Sequence, residues 1–339
     1  MKTGIFSLLT ILLVNLFPIV SFSESSLRVR DLRCEYQRDP LSIDSPAPRL
    51  SWILESPRRS AKQTAYRILV ATEKDTLRNN TGDLWDSGKV SSIQSIQIAY
   101  AGKALASFQR CFWKVRVWDG EGNPSPWSDT AVWSMGILQE SEWQAKWIGA
   151  PEKSPSLPIF RREFSLDRKV KSARIYISGL GFYELRLNGE KVGDSLFDPG
   201  WTNYRRTCMY AAYDVTKQIR RGGNALGVML GNGFFNVTGG RYVKYTGSFG
   251  EPRFILHLRV EFTDGSIAET VSDESWRCSP GPILFSCIYG GEDYDARLEI
   301  PGWDEAGLDD SAWKSATACE GPGGQLAAQI GYPIRAMQE

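Results

Sequence analysis

From residue 27 to residue 136 apolar and polar positions alternate with a period of two, and turn-forming residues interrupt them roughly every eight to twelve positions. Residues 49–54 set Trp52 on one face. Residues 65–71 alternate behind Tyr66, and 112–118 alternate again before an Asp119-Gly120 turn. Successive side chains of a strand point to opposite faces, so the pattern predicts short strands with one buried face, a β-sandwich over residues 27–137. Its tryptophans read as core rather than as a sugar platform, since large inward rings carry much of a small core's burial. Residues 138–158, tryptophan-containing and then proline-rich, predict a linker. The alternation resumes at 159–164 and returns at 173–178, 183–187, 225–230 and 257–262, with Asn188-Gly189 and Asp264-Gly265 as hairpin turns. A second sandwich, a jelly roll over 159–316 with a tail at 317–339, follows from that spacing. Helical periodicity is confined to the neighbourhood of Ile219 and to 305–313.

The first 23 residues differ in kind. Met1-Lys2, an apolar run over 4–20 and Ser21-Phe22-Ser23 predict a secretory signal cut after Ser23. The alternative is an uncleaved anchor, against which stand Asn15, Pro18 and the small residues after the run. No later stretch approaches about 18 unbroken apolar residues. The expectation is an exported chain, secreted or periplasmic, that does not span a membrane after cleavage.

Charge and composition narrow the chemistry. With 40 Lys+Arg against 39 Asp+Glu, the net charge of +1 offers no basic face for nucleic acid. His257 is the single histidine, which excludes multi-histidine metal sites and leaves any catalysis to carboxylates. Six cysteines at irregular spacing are too few for a disulfide scaffold; Cys278 and Cys287, flanking a Ser-Pro-Gly-Pro turn, read either as a pair or as buried free thiols. Glycosylation sequons at Asn79 and Asn236 matter only in a eukaryotic host.

A particular order of motifs goes beyond composition. Leu180-Gly181-Phe182-Tyr183-Glu184-Leu185, Asn188-Gly189-Glu190-Lys191-Val192-Gly193 and Phe197-Asp198-Pro199-Gly200-Trp201-Thr202-Asn203-Tyr204 run in sequence. Tyr213-Asp214-Val215-Thr216, Leu230-Gly231-Asn232-Gly233 and Tyr289-Gly290-Gly291-Glu292-Asp293-Tyr294-Asp295-Ala296-Arg297 follow. Together they resemble the N-terminal region of the bacterial α-L-rhamnosidases, a glycoside hydrolase family, over essentially the whole chain after the signal. Arg38-Asp39-Pro40-Leu41 and Pro48-Arg49-Leu50-Ser51-Trp52 fit the same family's leading module. The resemblance implies an all-β chain: a fibronectin type III-like β-sandwich followed by a galactose-binding-like jelly roll, which in some members binds rhamnose with calcium. It also implies that bond cleavage belongs to an (α/α)₆ barrel further along, around an Asp-Glu-Arg-x-Gly-Trp signature. No such run occurs here, and the expectation is a non-catalytic front portion. Its partners are then a rhamnose-containing glycan or glycoside and, for activity, a rhamnosidase catalytic chain supplied separately. A protein-interaction scaffold without sugar binding is the other reading.

Two loops carry the candidate sugar contacts. Saccharides are held by aromatic stacking and by planar polar groups. The first loop offers Asp198, Trp201, Asn203 and Tyr204; the second offers Asn232, Phe234, Arg241 and Tyr242. These loops either bind sugar or pack against further domains. Glu292 and Asp295 are the candidate oxygen ligands for calcium. Asp293 and Asp295 share a strand face at roughly 6–7 Å between Cα atoms, a spacing that raises glycosidic catalysis. Arg297 next in line favours a structural Asp295–Arg297 pair instead, because an adjacent guanidinium keeps a carboxylate ionised. Asp304, Glu305, Asp309 and Asp310 read as a solvated face.

Overall fold

The computed structural model describes residues 25–337 except 155, 238 and 240–243, so the expected signal segment lies outside the described residues. In the first sandwich, Arg49–Glu55 pairs with Arg28–Cys34 and Ile98–Ala99. The second of its sheets is centred on Ala65–Ala71 and Arg110–Trp118, joined by Trp85–Asp86, Val90–Ser91 and Ala131–Ser134. Trp52, Trp113 and Trp133 fill the space between, each 1% exposed or less. A buried indole needs a partner for its N–H, and Trp52 donates to Gln63 Oε1 at 3.1 Å. These three rings are core, as their inward register predicts.

The second sandwich sets a six-stranded sheet against a seven-stranded one. Pro158–Leu166, Tyr183–Leu187 and Gly222–Leu230 form the body of the first; Val170–Leu180, Thr207–Asp214 and Arg253–Phe262 form that of the second. Ile175, Ile177, Leu226, Val228, Leu256 and Trp276 meet between them. Asn188 and Gly189 take φ of +53° and +86°, the two left-handed residues that a tight hairpin requires, and join Tyr183–Leu187 to Glu190–Lys191.

Several segments depart from the sequence reading. Ile148–Gly149, in the expected linker, pairs with Arg253–Phe262; Thr317–Ala318 and Gln325–Ala328, in the expected tail, pair with Ile148–Gly149 and Thr207–Asp214. Strands this short hold too few residues for a period to register. The helices expected near Ile219 and over 305–313 are turn or irregular backbone, and the α-helix found among the described residues is Lys74–Arg78. Nor are Asp304 and Asp310 a solvated face. Arg161 is fully buried, pairs with Asp310 and Glu163, and donates to the carbonyls of Trp303 and Glu305, both at 2.9 Å. Asp304 is 5% exposed and lies 2.5 Å from Arg186 Nε. Buried guanidinium groups need carboxylate partners, and this turn supplies them. All six cysteines are free thiols, so Cys278 and Cys287 are buried and unpaired.

The two sandwiches meet across the outer face of the seven-stranded sheet. Phe108 packs edge-on to Tyr176 at 5.4 Å and Trp143 to Tyr210 at 5.2 Å. Tyr210 Oη accepts from the Ile137 amide at 3.1 Å, and Asp44 Oδ2 accepts from the Ala328 amide at 2.7 Å. The burial of Val170–Leu180 is accordingly one-sided at its start and two-sided towards its end. His257, opposite Tyr176 in register, is packed under Phe108 and Trp143, and burial pulls its pKa down.

Candidate functional site

Asp198 organises the loop that follows Glu190–Lys191. It is 5% exposed, its Oδ2 accepts from Tyr213 Oη at 2.8 Å, and its Oδ1 accepts from Gln329 Nε2 at 3.1 Å. Tyr213 Oη also lies 3.1 Å from Tyr183 Oη, and the Asp198 carbonyl accepts from the Tyr183 amide. Both phenols are pushed up by burial, then by neighbouring groups that include the Asp198 carboxylate. Asp198 therefore pins the loop to the strands behind it and presents no free carboxylate oxygen outward.

From that anchor the chain projects two large rings. Phe197 is 56% exposed and takes φ of +59°, a conformation that bulky residues rarely hold. Trp201 is 55% exposed, and its indole lies flat on Phe234, with centroids 4.5 Å apart and planes 6° from parallel. Tyr245 leans on Trp201 at 6.2 Å, while Phe182 joins Phe197 and Phe234 at 5.4 and 6.0 Å. Beneath them Tyr204 is buried and packs edge-on against Phe235 and Phe249. One face of Trp201 is thus covered by Phe234, and more than half of the side chain stays exposed, on a base of further rings.

The second loop is held from below. Asn232 Nδ2 donates to the Ser286 carbonyl at 2.9 Å, and its Oδ1 accepts from Asn236 Nδ2 at 3.1 Å. Gly181 permits the approach behind it: with φ of +113°, a Cβ there would come 2.1 Å from the Gly231 carbonyl oxygen. Asn203 is exposed, and its Oδ1 accepts from the Arg205 amide at 3.2 Å.

Of the expected contacts, the structure brings Trp201 and Phe234 together at the surface and places Asn203 beside them in sequence. It sets Tyr204 under the rings and commits Asp198 and Asn232 to internal hydrogen bonds. Arg241 and Tyr242 lie outside the described residues. Phe182, Phe197 and Tyr245 were missed by the sequence reading. The signal for Phe197 was its place beside the Asp198-Pro199-Gly200 turn; Phe182 and Tyr245 are joined to the group only by folding.

The proposed calcium ligands do not converge. Both Asp295 carboxylate oxygens accept from the Arg297 guanidinium, at 2.8 and 2.7 Å, and this holds the Asp295 pKa down at about 2. Glu292 is shifted the other way, by partial desolvation and then by the charge of Glu184. It lines a cleft of about 550 Å³ with Glu184, Arg186 and Tyr294. Among the described residues no group of three or more His, Cys, Asp or Glu is arranged to hold a metal ion, and no helix is long and apolar enough to cross a membrane. As arranged, Glu292 and Asp295 do not fit calcium.

Known proteins match this architecture module by module. The family model for the alpha-L-rhamnosidase N-terminal domain matches residues 168–338, and that for the Rha78A-like N-terminal immunoglobulin domain matches 29–139. An alpha-L-rhamnosidase of Formosa agariphila is 36% identical over 93% of this chain and 36% of its own length. One of Alteromonas sp. is 34% identical over 88% of this chain and 34% of its own. The solved alpha-L-rhamnosidase of Dictyoglumus thermophilum is 42% identical with a TM-score of 0.84, covering 92% of this chain and 36% of that one. That of Streptomyces avermitilis, solved with L-rhamnose, is 26% identical with a TM-score of 0.85, covering 92% and 47%. The chain thus spans about a third of the length of its curated relatives, 36% of the first.

Proposed function

The chain belongs to the α-L-rhamnosidase family through its N-terminal domains, and from that premise we propose that its second sandwich recognises rhamnose-containing carbohydrate. The observation that carries this reading is Trp201, stacked on Phe234 by one face and still 55% exposed. A 6-deoxy sugar has a largely apolar C–H face, and an open indole is the side chain best suited to it. Exposed aromatic clusters are uncommon on a soluble surface unless something covers them. Support from outside the chain is the structure of the Streptomyces avermitilis relative, solved with L-rhamnose.

The chemistry of this platform is binding. Its buried carboxylate, Asp198, is spent on Tyr213 and Gln329. In this reading the sandwich holds the sugar, while hydrolysis belongs to the part of the relatives' length that this chain does not match. A signal at residues 1–23 would deliver it outside the cytoplasm. Calorimetry with L-rhamnose, run with and without calcium, tests the proposal. Heat of binding together with a change in tryptophan emission supports it. No binding under either condition overturns it in favour of a protein-interaction scaffold.

A further inference from the structure

A second recognition site lies away from the platform. Between the two sandwiches is a cleft of about 430 Å³, within the range of about 300–1,000 Å³ usual for small-molecule sites. Its floor is the outer face of the seven-stranded sheet, where Ser172, Arg174 and Tyr176 stand opposite Glu261, Arg259 and His257 in register. Its roof comes from the first sandwich, through Phe108, Arg110 and Phe112. Arg259 lies over Phe108 at 4.5 Å and Arg110 over Phe112 at 4.9 Å.

Four cations line this cleft, Arg110, Lys171, Arg174 and Arg259, against two carboxylates, Glu73 and Glu261. Lys171 is answered by Glu261 at 2.7 Å, and Arg259 by Glu269 at 2.6 Å. Among the described residues Arg174 has no carboxylate within ion-pair distance. Its neighbour on one side is the like-charged Arg259, and Asp214 on the other side turns its carboxylate to the Thr216 amide. Like charges directly opposite on a sheet destabilise it unless an anion intervenes. Arg174 Nε is buried and makes no hydrogen bond, while the hydroxyl of the fully buried Tyr176 interacts with the Arg174 guanidinium beside it. Buried donors without a partner are rare. Arg174 and Tyr176 lie two residues apart on one strand face.

We infer that the cleft between the sandwiches binds an oxyanion, carried on a molecule about the size of one sugar ring, through Arg174, whose guanidinium the Tyr176 hydroxyl holds from below. The anion would offset the Arg174–Arg259 pairing and accept from the Arg174 guanidinium, while Phe108 and Phe112 cover the ring. The inference stands on the cleft alone and does not need the Trp201 platform.

Titration of the full chain by calorimetry with sodium glucuronate, glucose 6-sulfate and glucose tests it. At least one charged sugar is expected to bind and glucose is not; which one binds tells a carboxylate from a sulfate ester as the source. Arg174→Gln should weaken that binding roughly tenfold to a hundredfold, the usual span for a charged hydrogen bond. Tyr176→Phe takes away the hydroxyl that holds the Arg174 guanidinium and should weaken binding several-fold. Trp201→Ala should leave it untouched, which separates this site from the platform. Binding of neither charged sugar, equal binding of glucose, or unchanged binding in Arg174→Gln overturns the inference.

Discussion

The indole of Trp201 and the ring of Phe234 are stacked 4.5 Å apart and within 6° of parallel, although they come from two loops separated by two strands of the sandwich, Thr207–Asp214 and Gly222–Leu230. A full face-to-face overlap of two rings is not their preferred arrangement, and such pairs contribute only about 0.5–1.5 kcal/mol beyond burial. What the stack does achieve is orientation. A free surface tryptophan samples several rotamers, whereas this one is held flat on Phe234 while more than half exposed.

Trp201→Ala should therefore abolish most rhamnose binding while leaving the fold intact. Loss of a central aromatic contact of this kind typically exceeds 2 kcal/mol, roughly a thirtyfold weakening. The exposed position limits the stability change to about 1 kcal/mol. Phe234→Trp enlarges the ring beneath and should preserve binding, and calorimetry on the two variants distinguishes a stacking role from mere bulk.

Asp198 and Tyr213 form a second coupled pair. Asp198→Ala leaves the Tyr213 hydroxyl buried with one fewer partner and should destabilise the protein by about 1–3 kcal/mol. Tyr213→Phe should lose less, since the Asp198 carboxylate keeps Gln329. The double variant should be less destabilised than the sum of the two, by about 0.5–3 kcal/mol, in a urea-denaturation cycle. Strict additivity would show that the pair does not hold the loop.

Much of this fold was legible because alternation is a direct record of burial. Trp52, Trp113, Ile175 and Val228 all lie on the inward register that their spacing demands. Asn188-Gly189 announced its turn through the backbone it needs. Long-range pairing left no such record. Nothing near Asp310 in the sequence points to Arg161, almost 150 residues away, and the two-residue strands at Ile148 and Thr317 are too short to show a period. The site was legible in part for the same reason. Trp201 and Phe234 stood out as rings in loops, but only the fold shows Asp198 turned inward and Phe182 brought beneath them.

The Asp295–Arg297 pair gives a pH prediction with a definite sign. Hydrogen bonding to the guanidinium lowers the Asp295 pKa from 3.8 to about 2. A depressed carboxyl pKa means that the pair's contribution to stability is present above the unfolded value and is lost as pH falls through about 2. An NMR titration should place the Asp295 midpoint near that lower value. Arg297→Gln should return it towards 3.8 without altering the fold at neutral pH.

The cysteines supply the last test. Thiolate is the reactive form, so a thiol whose pKa is raised in an apolar setting resists modification even when a small reagent can reach it. Burial pushes Cys208 and Cys278 up to about 11 and Cys111 up to about 12, and drives Cys34 up as well. Cys319 is the least enclosed, half-buried with its Sγ against the Trp147 carbonyl. A chromogenic disulfide reagent should therefore label at most Cys319 in the native chain and all six thiols in denaturant. Reductant should leave the melting temperature unchanged, because no loop closed by a disulfide is restraining the unfolded chain. Release of only four thiols on denaturation, with Cys278 and Cys287 protected, would show that those two are covalently joined across the turn that separates them.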